Sequence, residues 1–215
     1  VKIPLGIYSR LGHMGESYQI TQWYPKPAVY DKNGWNQMPY LTQGEFYSEF
    51  GSFDVSITLP ENYVLGATGD MVDGEEELAW LNEKVLLTEA KTSYDENMDF
   101  PESSVKLKTL RFKQNNVHDF AWFADKRYHV LKGEVELPHT KEKVTTWAMF
   151  TNSEADLWTS SIEYLNDAVY YYSLWNGDYP YKHCTAVDGA LSAGGGMEYP
   201  NITVIGESGS AFLLE

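Results

Sequence analysis

Apolar and polar residues alternate from Phe53 to Leu59: Phe53, Val55, Ile57 and Leu59 interleave with Asp54, Ser56 and Thr58. A period of two over that length predicts a half-buried strand, and Pro60, which has no N–H to give a ladder, ends it. Asn62-Tyr63 begins the return, and Tyr63 to Thr68 predicts a second short strand closed by Gly69-Asp70. The pattern resumes from Leu107 to Phe112, with Leu110 and Phe112 expected inward and Lys108, Arg111 and Lys113 outward. It continues over Val130–Leu137 and Val144–Phe150. Turn residues at Asn33-Gly34, Gly51-Ser52, Asn115-Asn116 and Pro138-His139 separate the strands. Glu75 to Lys91 interrupts the series, where the spacing of Leu78, Leu81 and Val85 predicts a short helix.

The period changes after Phe150. Leu157, Ser161, Ile162, Leu165, Ala168, Val169 and Tyr172 follow helical spacing and predict one helix reaching about Trp175. Ser153 is its expected cap with Asp156 as the capping-box partner, Asn176-Gly177 its stop, and Pro180 prevents a restart. A strand-rich region followed by a long helix predicts a β domain over residues 1–140 and a second, α+β unit over 141–215, the boundary falling between 139 and 152.

Composition narrows the class. The 215 residues are 43% hydrophobic with 7 Trp, 16 Tyr and 9 Phe, which supports a real core, excludes disorder and favours β structure. A formal charge of −15 makes nucleic acid and anionic membranes unsuitable partners. Eleven acids between Asp70 and Glu102 face only Lys84 and Lys91, the mark of a solvated edge; Asp73-Gly74-Glu75 lacks the alternating oxygen ligands of a calcium loop. The single cysteine, Cys184, precludes an intrachain disulfide and reads as a buried inert thiol. No apolar run approaches a membrane span. The chain opens on Val1-Lys2-Ile3 with no signal peptide, so compartment stays open, and a bacterial periplasmic or cell-surface location would accord with a leader already removed.

Candidate chemistry is sparse. The histidines at 13, 118, 129, 139 and 183 include no pair three to five residues apart, so no metal site is expected in this chain. His118-Asp119 has the order of an oriented acid/base pair, but Phe120, Trp122 and Phe123 around it suggest a packed strand end. Asn201-Ile202-Thr203 fits a glycosylation acceptor triplet. Trp23, Tyr24, Tyr30, Trp35 and Tyr40 could stack sugars, which keeps a non-catalytic carbohydrate- or peptide-binding β module as the alternative function; the same rings also suit core packing.

The most informative segment is Gly195-Gly196-Met197-Glu198-Tyr199-Pro200, a carboxylate on glycine-flexed backbone leading into the apolar run Ile202–Ile205. It resembles the GxMEN exopeptidase motif of the gluzincin aminopeptidases (peptidase family M-one, aminopeptidase N-like), with Tyr199 where Asn is usual. Thr21-Gln22-Trp23-Tyr24-Pro25, Phe53-Asp54-Val55-Ser56-Ile57 and His118–Phe123 are similar to segments of that family's amino-terminal domain, in a bacterial branch. The resemblance implies a mainly β, saddle-like sandwich domain followed by the α+β beginning of a thermolysin-like catalytic domain. It implies that Glu198 holds the free α-amino group of a peptide substrate, with Gly195, Gly196 and Met197 shaping the adjoining side-chain pocket. Gln22 and Tyr24 would approach the same amine from the β domain. Tyr24 stands where many members have Gln or Glu, and it offers a hydrogen-bond donor without charge at neutral pH. The family's HExxH zinc motif is absent, so the expectation is an inactive fragment with no catalytic residue of its own. Its parent would be a zinc aminopeptidase with metal ligands beyond residue 215, and the chain's end after Ala211–Leu214 would be an artificial cut.

Overall fold

The structure, a computed structural model, describes residues 11–39, 47–153, 155–189 and 195–206. Strands β1 (Gly12–Met14), β2 (Ser17–Ile20), β3 (Val29–Asp31), β4 (Gly34–Asn36), β5 (Gly51–Pro60), β6 (Val64–Ala67) and β7 (Asp70–Val72) precede helix α1 (Glu75–Glu89). Then come β8 (Leu107–Val117), β9 (Trp122–Asp125), β10 (His129–Glu136), β11 (Lys143–Phe150), helices α2 (Ala155–Trp158) and α3 (Ser161–Asn176), and β12 (His183–Asp188), β13 (Gly196–Tyr199) and β14 (Ile202–Ile205). The molecule is mostly β with few helices.

Three sheets and a helical layer stack in succession. The outermost, β5-β8-β7, packs Ile57, Leu59, Leu110 and Phe112 against Leu65, Ala67 and Ala124 of the sheet β1-β2-β9-β6. The other face of that second sheet meets the five-stranded sheet β10-β11-β12-β14-β13, where Val64 and Phe123 join Met149, Val187, Ile202 and Val204, with Leu81 and Val85 of α1 in the same core. The far face of the five-stranded sheet carries Ala148, Phe150, Ala186 and Ile205 onto Trp158 and Leu165 of α2 and α3. A strand in a middle layer is covered on both sides, which is why Val64 to Ala67 are all buried while β5, in the outer layer, alternates.

Several sequence expectations shift in this arrangement. Lys108 turns inward, because it shares parity with Leu110 and Phe112; its ammonium donates to both Glu77 oxygens (2.7 and 2.9 Å) and lies 4.0 Å from the Trp80 ring centroid. Glu77 in turn joins Leu81, Val85 and Thr88 as the buried stripe of α1, while Leu78 is exposed. Asn115-Asn116 does not end a strand: β8 runs through it to Val117, Asn116 absorbing the irregularity with φ 57°. Gly51-Ser52 likewise opens β5 rather than preceding it.

The single helix expected after residue 153 is two. Thr159 closes α2 by donating to the Asp156 carbonyl (2.9 Å), and the break lets Trp158 stack on Phe150 at 5.7 Å with planes 9° apart. In α3 the buried residues are Ser161, Leu165, Val169 and Ser173, a stripe of i+4 steps, and Tyr172 faces out. The expected division at 140/141 lies in the turn between β10 and β11, which pair from His129↔Phe150 to Glu136↔Lys143, so the five-stranded sheet draws on both sides of it.

Candidate functional site

Glu198 sits on β13, the border strand of the five-stranded sheet among the described residues, paired antiparallel with β14 in the register Met197↔Val204, Glu198↔Thr203, Tyr199↔Ile202. Alternation separates its neighbours' roles. Met197 and Tyr199 are buried in the core between sheets, the Tyr199 ring 6.2 Å from that of Phe123, whereas Glu198 on the opposite face is exposed. Met197 can therefore shape a neighbouring pocket only through packing. Gly195 (φ 74°), just before the strand, has a left-handed conformation that favours glycine, and its carbonyl accepts from Gly206 N at 2.8 Å. Among the described residues β13 has a strand partner on one side only, and an open strand edge is the kind of surface along which an extended peptide pairs.

The turn after Glu198 is fastened to the β layers. Thr68 Oγ1 donates to the Pro200 carbonyl (3.0 Å) and accepts from Ala121 N (3.2 Å). Asn201, in the left-handed region at φ 51°, accepts from Gly69 N (2.9 Å) and donates to Gln114 Oε1 (3.0 Å). His183 Nε2 lies 2.9 Å from the Gly69 carbonyl, the only role open to it there being donor, which assigns Nδ1 as acceptor toward Thr185 Oγ1 at 3.2 Å. Gly69 could be no other residue: its φ is 96°, and a Cβ there would meet the Lys113 carbonyl oxygen at 2.9 Å. Asn201 is 4% exposed with its amide spent on both sides, so the acceptor triplet it begins is closed to a glycan in this fold.

Gln22 and Tyr24 lie in the segment between β2 and β3. Gln22 is half-buried with φ 49° and borders a cavity of about 520 Å³ with Lys26, Asn36, Gln37, Met38 and Tyr47, a lining that includes neither Tyr24 nor Glu198. Tyr24 rests on Phe53 (5.2 Å, edge-on) and donates its hydroxyl proton to Asp119 Oδ1 at 2.9 Å. The donor anticipated at Tyr24 is thus already committed, and what its oxygen can still do is accept. Burial first, then the Asp119 carboxylate, pushes the Tyr24 hydroxyl pKa far above its ordinary value, so the proton stays. Asp119 is fully buried, takes Phe120 N at 2.8 Å and pairs with Lys26 at 3.0 Å, whose pKa burial lowers against that attraction.

Sequence reading missed Asp119 as an organiser of Tyr24, and missed Thr68, Gly69 and Asn201 as the fastening of the Glu198 hairpin. Hydrogen bonds along one stretch of backbone join the two groups: Tyr24 and Phe120 N donate to Asp119, the next residue's Ala121 N donates to Thr68, and Thr68 donates to the Pro200 carbonyl. The available signals were Gly69 after a strand and Asn after Pro in a two-residue turn, both of which mark left-handed backbone but not what it touches.

The imidazoles do not fit a zinc centre. His183 is held as above, His129 Nε2 meets Asn152 Oδ1 at 2.7 Å, His13 Nδ1 meets the Gly15 carbonyl at 3.0 Å, and His118 packs on Phe50. Among the described residues no three His, Cys, Asp or Glu side chains gather as a ligand set. Burial pushes the half-buried Cys184 thiol up to about 11, which makes it an unreactive group. Of the aromatic series, Trp23 and Tyr24 pack against the core, and Trp23 Nε1 donates to the Phe120 carbonyl (3.1 Å). Tyr30 and Trp35 are 66% and 68% exposed and touch edge-on at 5.0 Å across the β3–β4 hairpin; Tyr40 lies outside the described residues. No described helix is long and apolar enough to cross a membrane.

No family model and no curated protein sequence matches this chain. A solved structure does share its fold. Aminopeptidase A from Legionella pneumophila, solved in complex with aspartic acid, superposes with a TM-score of 0.55 at 11% identity, over 92% of this chain and 19% of that one. An M1 zinc metallopeptidase from Deinococcus radiodurans matches at a TM-score of 0.42 and 17% identity, over 72% of this chain and 30% of that one. The chain spans about a fifth of the Legionella protein's length.

Proposed function

We propose that this chain is the amine-recognising opening portion of a larger zinc-dependent aminopeptidase, comprising a saddle-like β domain and the start of a thermolysin-like domain. The observation that carries the reading is Glu198: an exposed carboxylate on a glycine-led border strand whose other side chains are locked in the core. The fold shared with Legionella aminopeptidase A supports it. In this reading a peptide lies along the β13 edge, and Glu198 takes its terminal ammonium by a charge-assisted hydrogen bond. Gln22 and Tyr24 supply further acceptors for the ammonium, Gln22 through its amide oxygen and Tyr24 through the hydroxyl oxygen held by Asp119. Zinc belongs to residues outside this chain, and the part played here is orientation: a fixed amine sets which peptide bond is presented.

The test is the protein encoded by the uninterrupted reading frame, assayed with zinc on amino-acid anilides and on amino-acetylated controls. Zinc-dependent release from free-amine substrates only, reduced at least 100-fold in kcat/KM by Glu198→Ala, is the expected outcome. Activity that ignores acetylation, or survives that substitution, overturns the reading.

A further inference from the structure

Among the described residues a second strand edge borders a groove, on β5, whose lining does not include Glu198. Among the described residues β5 borders its sheet, paired with β8 on one side only. A cavity of about 570 Å³ runs along its other side and touches every residue from Val55 to Pro60. A cavity over one face of a strand meets alternate residues; one that meets six in succession runs beside the backbone edge itself. Its opposite wall is apolar: Tyr18 and Ile20 of β2, Trp122 and Ala124 of β9, and Trp23. The groove closes at Tyr63, Ser103 and Glu16, where Lys126 is enclosed by Glu16, the Pro101 carbonyl and Ser103.

We infer that this groove is the seat of an added β-strand, supplied by a further segment of the same polypeptide. The edge asks for backbone partners and the groove for apolar side chains at alternate positions, which one amphipathic strand satisfies together. Its inward residues would meet Ile57 and Leu59, and its outward ones would stand beside Ser56 and Thr58, both exposed. Six residues of strand span roughly 20 Å. A second copy of this chain is the poorer occupant, since each carries a formal charge of −15 and would repel its partner. A longer polypeptide is the setting of this fold in the Legionella protein, of which this chain covers only 19%. The inference rests on the proposal that the chain is part of a larger protein, but not on its being a peptidase.

Hydrogen–deuterium exchange on the 215-residue chain and on the protein from the uninterrupted reading frame tests it. Alternate β5 amides between Val55 and Leu59 should exchange freely in the chain and slow at least 100-fold in the longer protein. Equal rates in both overturn it, as does a reading frame that ends with this chain. Protection already present in the 215-residue chain also overturns it, by self-pairing if it depends on concentration and by a filled edge if it does not. Loss of peptidase activity with β5 protection retained would remove the functional proposal and leave this one standing.

Discussion

Asn201 joins sequence, turn and layer contact in one side chain. Its left-handed φ suits the two-residue connection Pro200-Asn201, and its buried amide spans Gly69 N and Gln114 Oε1. Asn201→Ala leaves the Gly69 N–H buried and unpaired and removes the amide that lets Asn tolerate left-handed backbone, while keeping the β-carbon that strains it, for a loss of about 2–4 kcal/mol. Asn201→Gly restores the turn without the bonds and should cost about 1–3 kcal/mol. Urea unfolding of the two variants checks the order; equal losses would mean that the turn contributes nothing. Asp119 shows the same economy, one buried carboxylate fixing Tyr24, the Phe120 amide and Lys26.

At the scale of elements, close approach decides the packing of α3 on the five-stranded sheet. The helix passes β10 at Gly133, where an added Cβ would sit 2.4 Å from Ile162 Cγ2 and 2.8 Å from Thr146 Oγ1. Thr146 cannot simply turn away, since its hydroxyl donates to Asn166 of α3 at 2.7 Å. Gly133→Ala should therefore cost about 1–3 kcal/mol as overpacking. Leu87→Ser on the 69% exposed face of α1 should change stability by no more than about 0.5 kcal/mol. Thermal unfolding of the pair separates contact from composition. The strand alternation over Phe53–Leu59 was legible beforehand, since one face against a layer needs a period of two, whereas the strand over Val144–Phe150 is buried on both faces from Thr146 onward. The break between α2 and α3 was not legible, because the stacking of Trp158 on Phe150 that fixes it joins separate elements.

For the whole molecule, burial sets the response to acid. Loss of water lowers the pKa of His183, His129 and His118 below the ordinary 6.5. The unfolded chain then binds more protons than the folded one as pH falls below about 6.5, so stability rises with pH across that window. It is complete above the unfolded pKa and is lost as pH falls through the folded values. Each histidine contributes at most about 1.4 kcal/mol per pH unit there. Unfolding midpoints should drop between pH 7 and 5.5, and His183→Gln should flatten the drop; an unchanged slope would mean that His183 is protonated in the fold.

The sequence by itself determined a mainly β chain, its principal alternating strands, the two helical regions and an exposed carboxylate next to glycine backbone. These are local properties, written in period, turn residues and parity. Even Lys108 was legible in principle, since its parity with Leu110 already placed it inward. Only the tertiary structure decided that β6 lies between two sheets and is buried on both faces, and that Tyr24 spends its proton on Asp119. It alone fastened the Glu198 hairpin through Thr68, Gly69 and Asn201, and left the edge of β5 beside an apolar groove. Each of these joins residues far apart in the chain, and hydrogen-bond partners at such separations have no period to announce them.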